Sequence, residues 1–176
     1  MLRLDGTLER IRRYDEWLCV RMNASLRYAA ALYFFRAVSW LGNGIFWYAL
    51  MLALLLQQRS EGLLPVVHMI FVGAVGSATY AMVKRSTGRQ RPFQIVPSVI
   101  AGAAPLDAFS FPSGHTLHAV AFTLVALRYY PSLVGILAAF TLLTAASRIV
   151  LGLHYPSDVL AGAALGAGIA AASFCI

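Results

Sequence analysis

Long apolar runs separated by short polar stretches dominate the chain from residue 45 onwards. Five runs have this character: 45–56, 63–83, 114–129, 132–149 and 159–176. A sixth, 26–41, has sixteen residues against the ~20 that a span needs, contains Arg27 and Arg36, and precedes Gly42-Asn43-Gly44, which we expect to break it. The pattern predicts an all-α integral membrane bundle of five to six transmembrane helices.

Residues 4–22 follow a different pattern, because charged and apolar side chains alternate there at helical spacing. This predicts an amphipathic arm, residues 1–25, that lies on the bilayer surface. Its many arginines suit anionic lipid, and no nucleic-acid recognition motif accompanies them. If residues 26–41 lie in the interface, the N-terminus shares the side of the polar clusters described next. If they cross, it lies opposite.

The composition supports the membrane class and a single domain over residues 1–176. Of the residues, 60% are hydrophobic and 12% charged, with a net charge of +7, which excludes an ordinary soluble domain. Gly162 and Gly166 in the last run form a small-xxx-small pattern that favours close helix packing. We interpret it as packing within the bundle, and the same pattern would also suit a homodimer.

Three polar clusters interrupt the apolar runs, at 84–92, 111–116 and 147–158. The runs 114–129 and 132–149 form a hairpin, which returns the third cluster to the side of the second. Charged side chains at the edge of a bilayer cost several kcal/mol unless they are paired or hydrated. We therefore expect the three clusters to meet in one functional site.

The cations in these clusters favour a multiply charged anion. Lys84, Arg91 and Arg148, joined by Arg89 or Arg85, outnumber the one carboxylate counted at the site, Asp158. Guanidinium groups match phosphate oxygens in pairs. Ser113 is expected to cap a helix whose N-terminus attracts anions, and Gly114 would let a phosphate approach the backbone.

Two histidines fit different roles in phosphate chemistry. His154 lies four residues before Asp158, as in a nucleophile whose other ring nitrogen is held by a carboxylate. His115 is placed to protonate a departing oxygen. A metal site is disfavoured because these ligands would bind a cation among several positive charges. His118 and His68 are interpreted as hydrogen-bonded structural residues.

The motifs Lys84-x6-Arg91-Pro92, Pro112-Ser113-Gly114-His115 and Ser147-Arg148-x5-His154-x3-Asp158 resemble the complete three-part signature of the type 2 phosphatidic acid phosphatase superfamily. The resemblance covers residues 84–158 and departs from the family in the N-terminal region, which lacks a clear first span.

The resemblance implies a helical bundle with an extracytoplasmic site, no metal cofactor and a phosphohistidine intermediate. It implies that His154 is the nucleophile, Asp158 its partner and His115 the acid and then the base. The residues that would hold the phosphate are Lys84, Arg91, Ser113, Gly114 and Arg148.

We therefore expect a phosphatase of a lipid phosphate or diphosphate in the bacterial inner membrane. The resemblance suggests undecaprenyl diphosphate, phosphatidylglycerol phosphate or phosphatidic acid as substrate, with the lipid tail remaining in the bilayer. A lipid phosphotransferase would use the same histidine, and a non-catalytic lipid transporter or scaffold would use the charges to line a path. Haloperoxidase chemistry is disfavoured because it belongs to soluble members of the superfamily.

Overall fold

A computed structural model describes residues 2–175 and the side chains of all of these except 2–5, 59 and 60. The regular elements of this part of the chain are all helical, which confirms the all-α class. They are α1 (Leu2–Asn23), α2 (Ala29–Trp40), α3 (Phe46–Gln58), α4 (Leu63–Thr87), α5 (Pro92–Ile95), α6 (Gly114–Tyr129), α7 (Val134–Val150) and α8 (Pro156–Ser173). Met1 and Ile176, at the outer ends of the predicted arm and last span, lie outside the described residues.

The helices next to the polar clusters begin and end at residues with a clear local reason. α4 ends where Gly88 adopts a left-handed conformation with φ of 58°, which glycine adopts without a steric cost. α6 begins after Ser113, whose hydroxyl accepts a hydrogen bond from the Thr116 N–H. α8 begins at Pro156, as the missing N–H of proline favours. The predicted cap at Ser113 is confirmed.

The expected break at Gly42-Asn43-Gly44 is a bend. Residues Leu41–Ile45 form one π-helical turn that joins α2 to α3, and Gly44 has a φ of 113° there. A Cβ at Gly42 would lie 3.0 Å from the Thr144 side chain of α7, so the bend brings the backbone close to its neighbour. The predicted break is confirmed, because Asn43 and Gly44 have non-helical backbone angles between α2 and α3. The two helices together form one apolar stretch of 30 residues, Ala29–Gln58.

Three stretches of the described chain are long and apolar enough to cross a membrane: Ala29–Gln58, Leu63–Ile95 and Pro131–Val150. α6 and α8, with 16 and 18 residues, are not among them. The count of five to six spans therefore stays a prediction. Pro92–Ile95 form the short helix α5, and an irregular loop follows it up to Ser113.

α6 is the central helix and packs against α4, α7 and α8. A Cβ at Gly162 would lie 2.4 Å from the Ser113 carbonyl oxygen, and one at Gly166 would lie 2.3 Å from that of Leu117. The two glycines therefore let α8 approach α6, which confirms packing within the bundle. Their face is covered by α6 and is not available to a second copy of the chain.

The main apolar core lies towards the end of the bundle that is opposite the polar clusters. It is built from α3, α4, α6 and α7, with Trp47, Met69, Val125 and Leu137 almost completely buried. Nearby, His68 contacts the Tyr129 hydroxyl at 3.0 Å and the Ser173 hydroxyl at 2.7 Å. The interpretation of His68 as a hydrogen-bonded structural residue is confirmed.

Candidate active site

The ends of four helices bring the predicted site residues to one end of the bundle. Lys84 lies in the last turns of α4, Arg91 just before α5, and Arg148 near the end of α7. His115 lies in the first turn of α6 and Asp158 in that of α8, with His154 in the turn between α7 and α8. The hairpin of α6 and α7 thus places the third cluster beside the second, as the sequence predicted.

His154 is 2% exposed, and its two ring nitrogens face opposite charges. Its Nε2 lies 3.3 Å from Arg91 Nη1, and a guanidinium can only donate, so Nε2 accepts and the ring proton is on Nδ1. Burial first, and then the neighbouring cations with Arg148 foremost, hold the pKa of His154 well below its ordinary value. The Nε2 lone pair is therefore unprotonated at neutral pH.

Asp158 is fully buried but is not hydrogen-bonded to His154. Its Oδ2 lies 3.7 Å from His154 Nδ1, which is beyond hydrogen-bonding distance, and Nδ1 has no partner among the described residues. Instead Oδ2 accepts the Tyr155 N–H at 2.8 Å, and Oδ1 accepts Arg89 Nη1 at 2.6 Å. His154 and Asp158 are therefore neighbours, as expected, but the Asp158 carboxylate also binds the Arg89 guanidinium.

The count of one carboxylate at the site is wrong, because Asp107 lies among the cations. Its Oδ1 is 2.6 Å from Lys84 Nζ and 2.8 Å from Arg91 Nη2, and Oδ2 accepts the Tyr80 hydroxyl. Burial opposes ionisation of Asp107, but hydrogen bonds from Lys84 and Tyr80 outweigh it and lower its pKa. Asp107 is therefore an anion at neutral pH.

Sequence reasoning missed Asp107 because it lies in an irregular loop. The one available signal is scarcity: the chain has seven acidic residues, and between Lys84 and Asp158 the sole other one is Asp107. Asp15 of α1 was also missed as a site neighbour. It belongs to the predicted amphipathic arm, yet it is 2% exposed and contacts Arg89 Nη2 at 2.8 Å.

Arg148 is a buried cation with an incomplete set of partners. It is 3% exposed, and Nη1 donates to the Ser39 hydroxyl. Its Nε has no hydrogen-bond partner among the described residues. An uncompensated buried charge costs several kcal/mol, so this position favours an additional anion.

The first turn of α6 lies against Tyr80, which donates to Asp107 and accepts from Lys84 Nζ at 2.7 Å. A Cβ at Gly114 would lie 2.8 Å from the Tyr80 ring, so a larger residue there would displace that ring. The Ser113 N–H donates to the Asp158 carbonyl at 3.0 Å. These contacts fix the start of α6 to both the α4 and the α8 sides of the site.

The structure distinguishes Arg89 from Arg85, the two residues that the sequence offered as a further cation of the site. Arg89 belongs to the site through Asp158, whereas Arg85 is exposed. His118 Nδ1 lies 2.9 Å from the Gly114 carbonyl and Nε2 lies 3.1 Å from the Ser77 hydroxyl, which confirms hydrogen bonding within the bundle. Among the side chains that the structure describes, no three from His, Cys, Asp or Glu are arranged to hold a metal ion.

A largely apolar groove of about 480 Å³ leads to His115 between α3, α4 and α6. Its wall includes Trp47, Tyr48, Ile70 and Phe122. Tyr48 is 71% exposed and Ile70 57% exposed, so the groove opens on the outer surface of the bundle. An apolar chain can therefore reach the polar site from the side.

Comparison with known proteins agrees with this arrangement. The model of the PAP2 superfamily matches residues 62–176. The crystal structure of Aquifex aeolicus LpxE superimposes with a TM-score of 0.78 at 26% identity, over 93% of this chain and 96% of that one. A Bacillus subtilis phosphatidylglycerolphosphate phosphatase of the PAP2 type has the same fold, with a TM-score of 0.71 at 23% identity, over 94% and 85%.

Curated relatives act on several lipids. A decaprenylphosphoryl-5-phosphoribose phosphatase of Mycobacterium tuberculosis is 37% identical over 55% of this chain and 52% of its own length. A lipid A 1-phosphatase of Rhizobium johnstonii is 34% identical over 49% and 37%, and an undecaprenyl-diphosphatase of Sulfolobus acidocaldarius is 30% identical over 73% and 62%. The chain spans about half the length of the curated relatives it matches. The chain therefore belongs to the PAP2 superfamily, and its long apolar helices are those of an integral membrane protein.

Proposed function

We propose that this protein hydrolyses the terminal phosphate of a membrane lipid phosphate or diphosphate through a phosphohistidine intermediate. The observation that carries the proposal is the place of Asp107. Its carboxylate bridges Lys84 and Arg91, and Arg91 is also 3.3 Å from His154 Nε2. An anion at that place is held by two cations beside an unprotonated imidazole, and a phosphate would be held in the same way.

The charge balance supports a phosphate with more than one negative charge. Lys84, Arg91 and Arg148 contribute three positive charges, and Asp107 offsets one of them. The unpartnered Nε of Arg148 is a further donor. Phosphate oxygens would satisfy these donors, and fixed cations would stabilise the charge of the transition state.

In the first step, the His154 Nε2 lone pair attacks phosphorus and the bond from phosphorus to the lipid oxygen breaks. The negative charge of the bound phosphate favours a proton on His115. His115 gives this proton to the departing oxygen and becomes neutral. The imidazole of His154 then carries the phosphoryl group on Nε2 and its proton on Nδ1. Asp158, 3.7 Å away, stabilises the positive charge of that ring.

In the second step, neutral His115 takes a proton from water, and the hydroxide attacks phosphorus. The bond from phosphorus to Nε2 breaks, its electron pair returns to His154, and inorganic phosphate leaves. Protonated His115 is ready for the next cycle. No metal is required in this scheme, because the arginines and Lys84 supply the positive charge.

The apolar groove beside His115 supports a lipid substrate, since it would take the tail while the phosphate enters the cation cluster. Two of the relatives, the decaprenylphosphoryl-5-phosphoribose phosphatase and the undecaprenyl-diphosphatase, are named for polyprenyl lipids. They favour an isoprenyl phosphate or diphosphate such as undecaprenyl diphosphate as the substrate. Phosphatidylglycerol phosphate and phosphatidic acid are the other two substrates expected from the sequence.

For the membrane topology, we propose five crossings by α2 with α3, α4, α6, α7 and α8. Leu56, Leu142 and Leu160 are 70–73% exposed, as is expected of side chains that face lipid. α1 contacts the site end of the bundle through Asp15, so the arm would lie on the same side as the site. We place that side at the extracytoplasmic face of a bacterial inner membrane.

The decisive experiment measures phosphate release by purified protein from undecaprenyl diphosphate, phosphatidylglycerol phosphate and phosphatidic acid. His154→Ala should lose at least about 10³-fold in turnover, and a chelator should leave wild-type turnover unchanged. His68→Asn is the matched control, because His68 lies outside the site. Undiminished release by folded His154→Ala would reject the mechanism, and release that requires an added acceptor would indicate a phosphotransferase.

A further inference from the structure

α1 has a buried polar face in addition to the apolar face predicted for lipid. Asp15, Cys19 and Asn23 follow each other at intervals of four residues, so they lie on one side of the helix. They are 2%, 0% and 3% exposed, whereas Leu8 and Trp17 are 64% and 51% exposed. The helix thus presents separate surfaces to the bundle and to its surroundings.

Two of the three buried residues bind the backbone around the candidate nucleophile. Asn23 Nδ2 donates to the Val150 and Ile100 carbonyls, each at 2.9 Å, and its Oδ1 accepts the Ile100 N–H at 2.9 Å. The Cys19 thiol donates to the His154 carbonyl at 3.5 Å. α1 therefore joins the loop after α5 to the turn that carries His154.

Asp15 is linked to the candidate catalytic carboxylate through the side chain of Arg89. Its Oδ2 accepts Arg89 Nη2 at 2.8 Å, and Arg89 Nη1 donates to Asp158 Oδ1 at 2.6 Å. Asp15 also accepts the Ser157 N–H at 2.9 Å and the Ser157 hydroxyl. The guanidinium stacks over Tyr155 at 4.1 Å, so its plane is fixed between two buried carboxylates.

This arrangement bears on the distance between Asp158 and His154. Arg89 holds Oδ1 of Asp158, which leaves Oδ2 directed at the Tyr155 N–H and 3.7 Å from His154 Nδ1. Without Asp15, the planar guanidinium would be free to turn and pair with both oxygens of Asp158. The carboxylate would then be drawn away from the imidazole.

We propose that α1 is a positioning element of the active site and that Asp15 is its positioning residue, acting through Arg89 on Asp158 and thereby on His154. This inference rests on the proposed function. Partners that orient a catalytic or ligating group from outside typically change activity about 10–100-fold when removed. The effect should fall on kcat, because Asp15 does not contact the cation cluster formed by Lys84, Arg91 and Arg148.

The test compares Asp15→Asn with Glu16→Gln in the full-length protein, using the panel lipid that the wild type hydrolyses fastest. Asp15→Asn should lower kcat about 10–100-fold with KM within about 3-fold. Glu16, the adjacent acid, pairs with Arg12 at 3.6 Å on the surface, so Glu16→Gln should keep kcat within about 2-fold.

A double-mutant cycle with Arg89→Gln separates positioning from general destabilisation. If Asp15 acts through Arg89, the double variant should be no slower than Arg89→Gln alone. Additive losses, or wild-type kcat in folded Asp15→Asn, would overturn the inference. If Asp15→Asn does not fold, Asp15→Glu keeps the charge and displaces Arg89 by one methylene, and it should still lower kcat at unchanged KM; unchanged kcat there overturns the inference as well.

The proposed function has its own separate outcome. Wild-type release of phosphate that is lost in His154→Ala supports the hydrolysis mechanism whatever Asp15 does. Normal kcat in the Asp15 variants, with that activity intact, removes only the role of α1.

Discussion

Two carboxylates lie at opposite ends of the His154 ring, and the protein holds them in different ways. Asp158 faces Nδ1 from the first turn of α8, has 0% exposure, and is bound by Arg89 and a backbone N–H. Asp107 lies beyond Arg91 on the Nε2 side, in an irregular loop, with 31% of its side chain exposed. The side that would direct the attack is fixed by helix ends, whereas the side that would hold phosphate carries the carboxylate of a partly exposed loop residue.

The largest expected effect concerns the fixed side. Asp158→Asn should lower kcat about 10²–10⁴-fold, because a neutral amide no longer stabilises the positive His154 ring. Asp107→Asn is the matched control, since it makes the same change at the other end of the ring. Steady-state phosphate release measures both, and equal losses in the two variants would contradict different roles for the two carboxylates.

Asp107→Asn should strengthen the binding of anions at the site. Removing the charge that pairs with Lys84 and Arg91 leaves them free for phosphate, so orthovanadate should inhibit at about 10-fold lower concentration. Inhibition titrations of wild type and variant measure the change. Weaker inhibition of a folded Asp107→Asn protein would mean that Asp107 helps to organise the cations rather than competing for them.

A smaller effect is expected in the pH dependence of stability. The pKa of His154 in the folded protein is depressed below its ordinary value of 6.5. As the pH falls below 6.5, this histidine therefore takes up a proton in the unfolded chain but not in the folded protein. The free energy of unfolding should therefore decrease by about 1.4 kcal/mol per pH unit in that range from this group. His154→Gln, which does not titrate, should show a shallower decrease between pH 6.5 and 5 in thermal unfolding, and parallel curves would contradict the burial of a neutral ring.

The smallest effect on activity is expected at the opposite end of the bundle. His68→Asn should keep turnover within about 2-fold and lower the free energy of unfolding by about 1 kcal/mol, because it disturbs the hydrogen bonds to Tyr129 and Ser173. Thermal unfolding and phosphate release measure the two quantities. A large loss of turnover would show that the two ends are coupled more strongly than the contacts indicate.

The sequence predicted the parts of the site that lie on regular elements. Ser113 and Pro156 mark helix starts by their local chemistry, and the lengths of the apolar runs place the three clusters at one end. Gly162 and Gly166 indicated close packing because their spacing matches a helix face. Each of these inferences depends on residues that are near in sequence.

The missed features depend on contacts between residues far apart in the chain. Asp107 and Asp15 carry no periodic signal that would show which cation they meet, and their partners Lys84 and Arg89 lie 23 and 74 positions away. The break at Gly42-Asn43-Gly44 was predicted, because glycine commonly stops a helix, but the sequence did not show that α3 continues close to the end of α2. Here the next residues resume a helical path, since packing of α2 and α3 on α7 holds the backbone across the bend.

The lateral opening of the apolar groove has a consequence for selectivity. A tail longer than the groove would continue past Tyr48 and Ile70 into the surrounding hydrocarbon and would meet no end wall. Chain length would then add little to discrimination between lipids, and the headgroup beside the cations would decide which molecules are turned over.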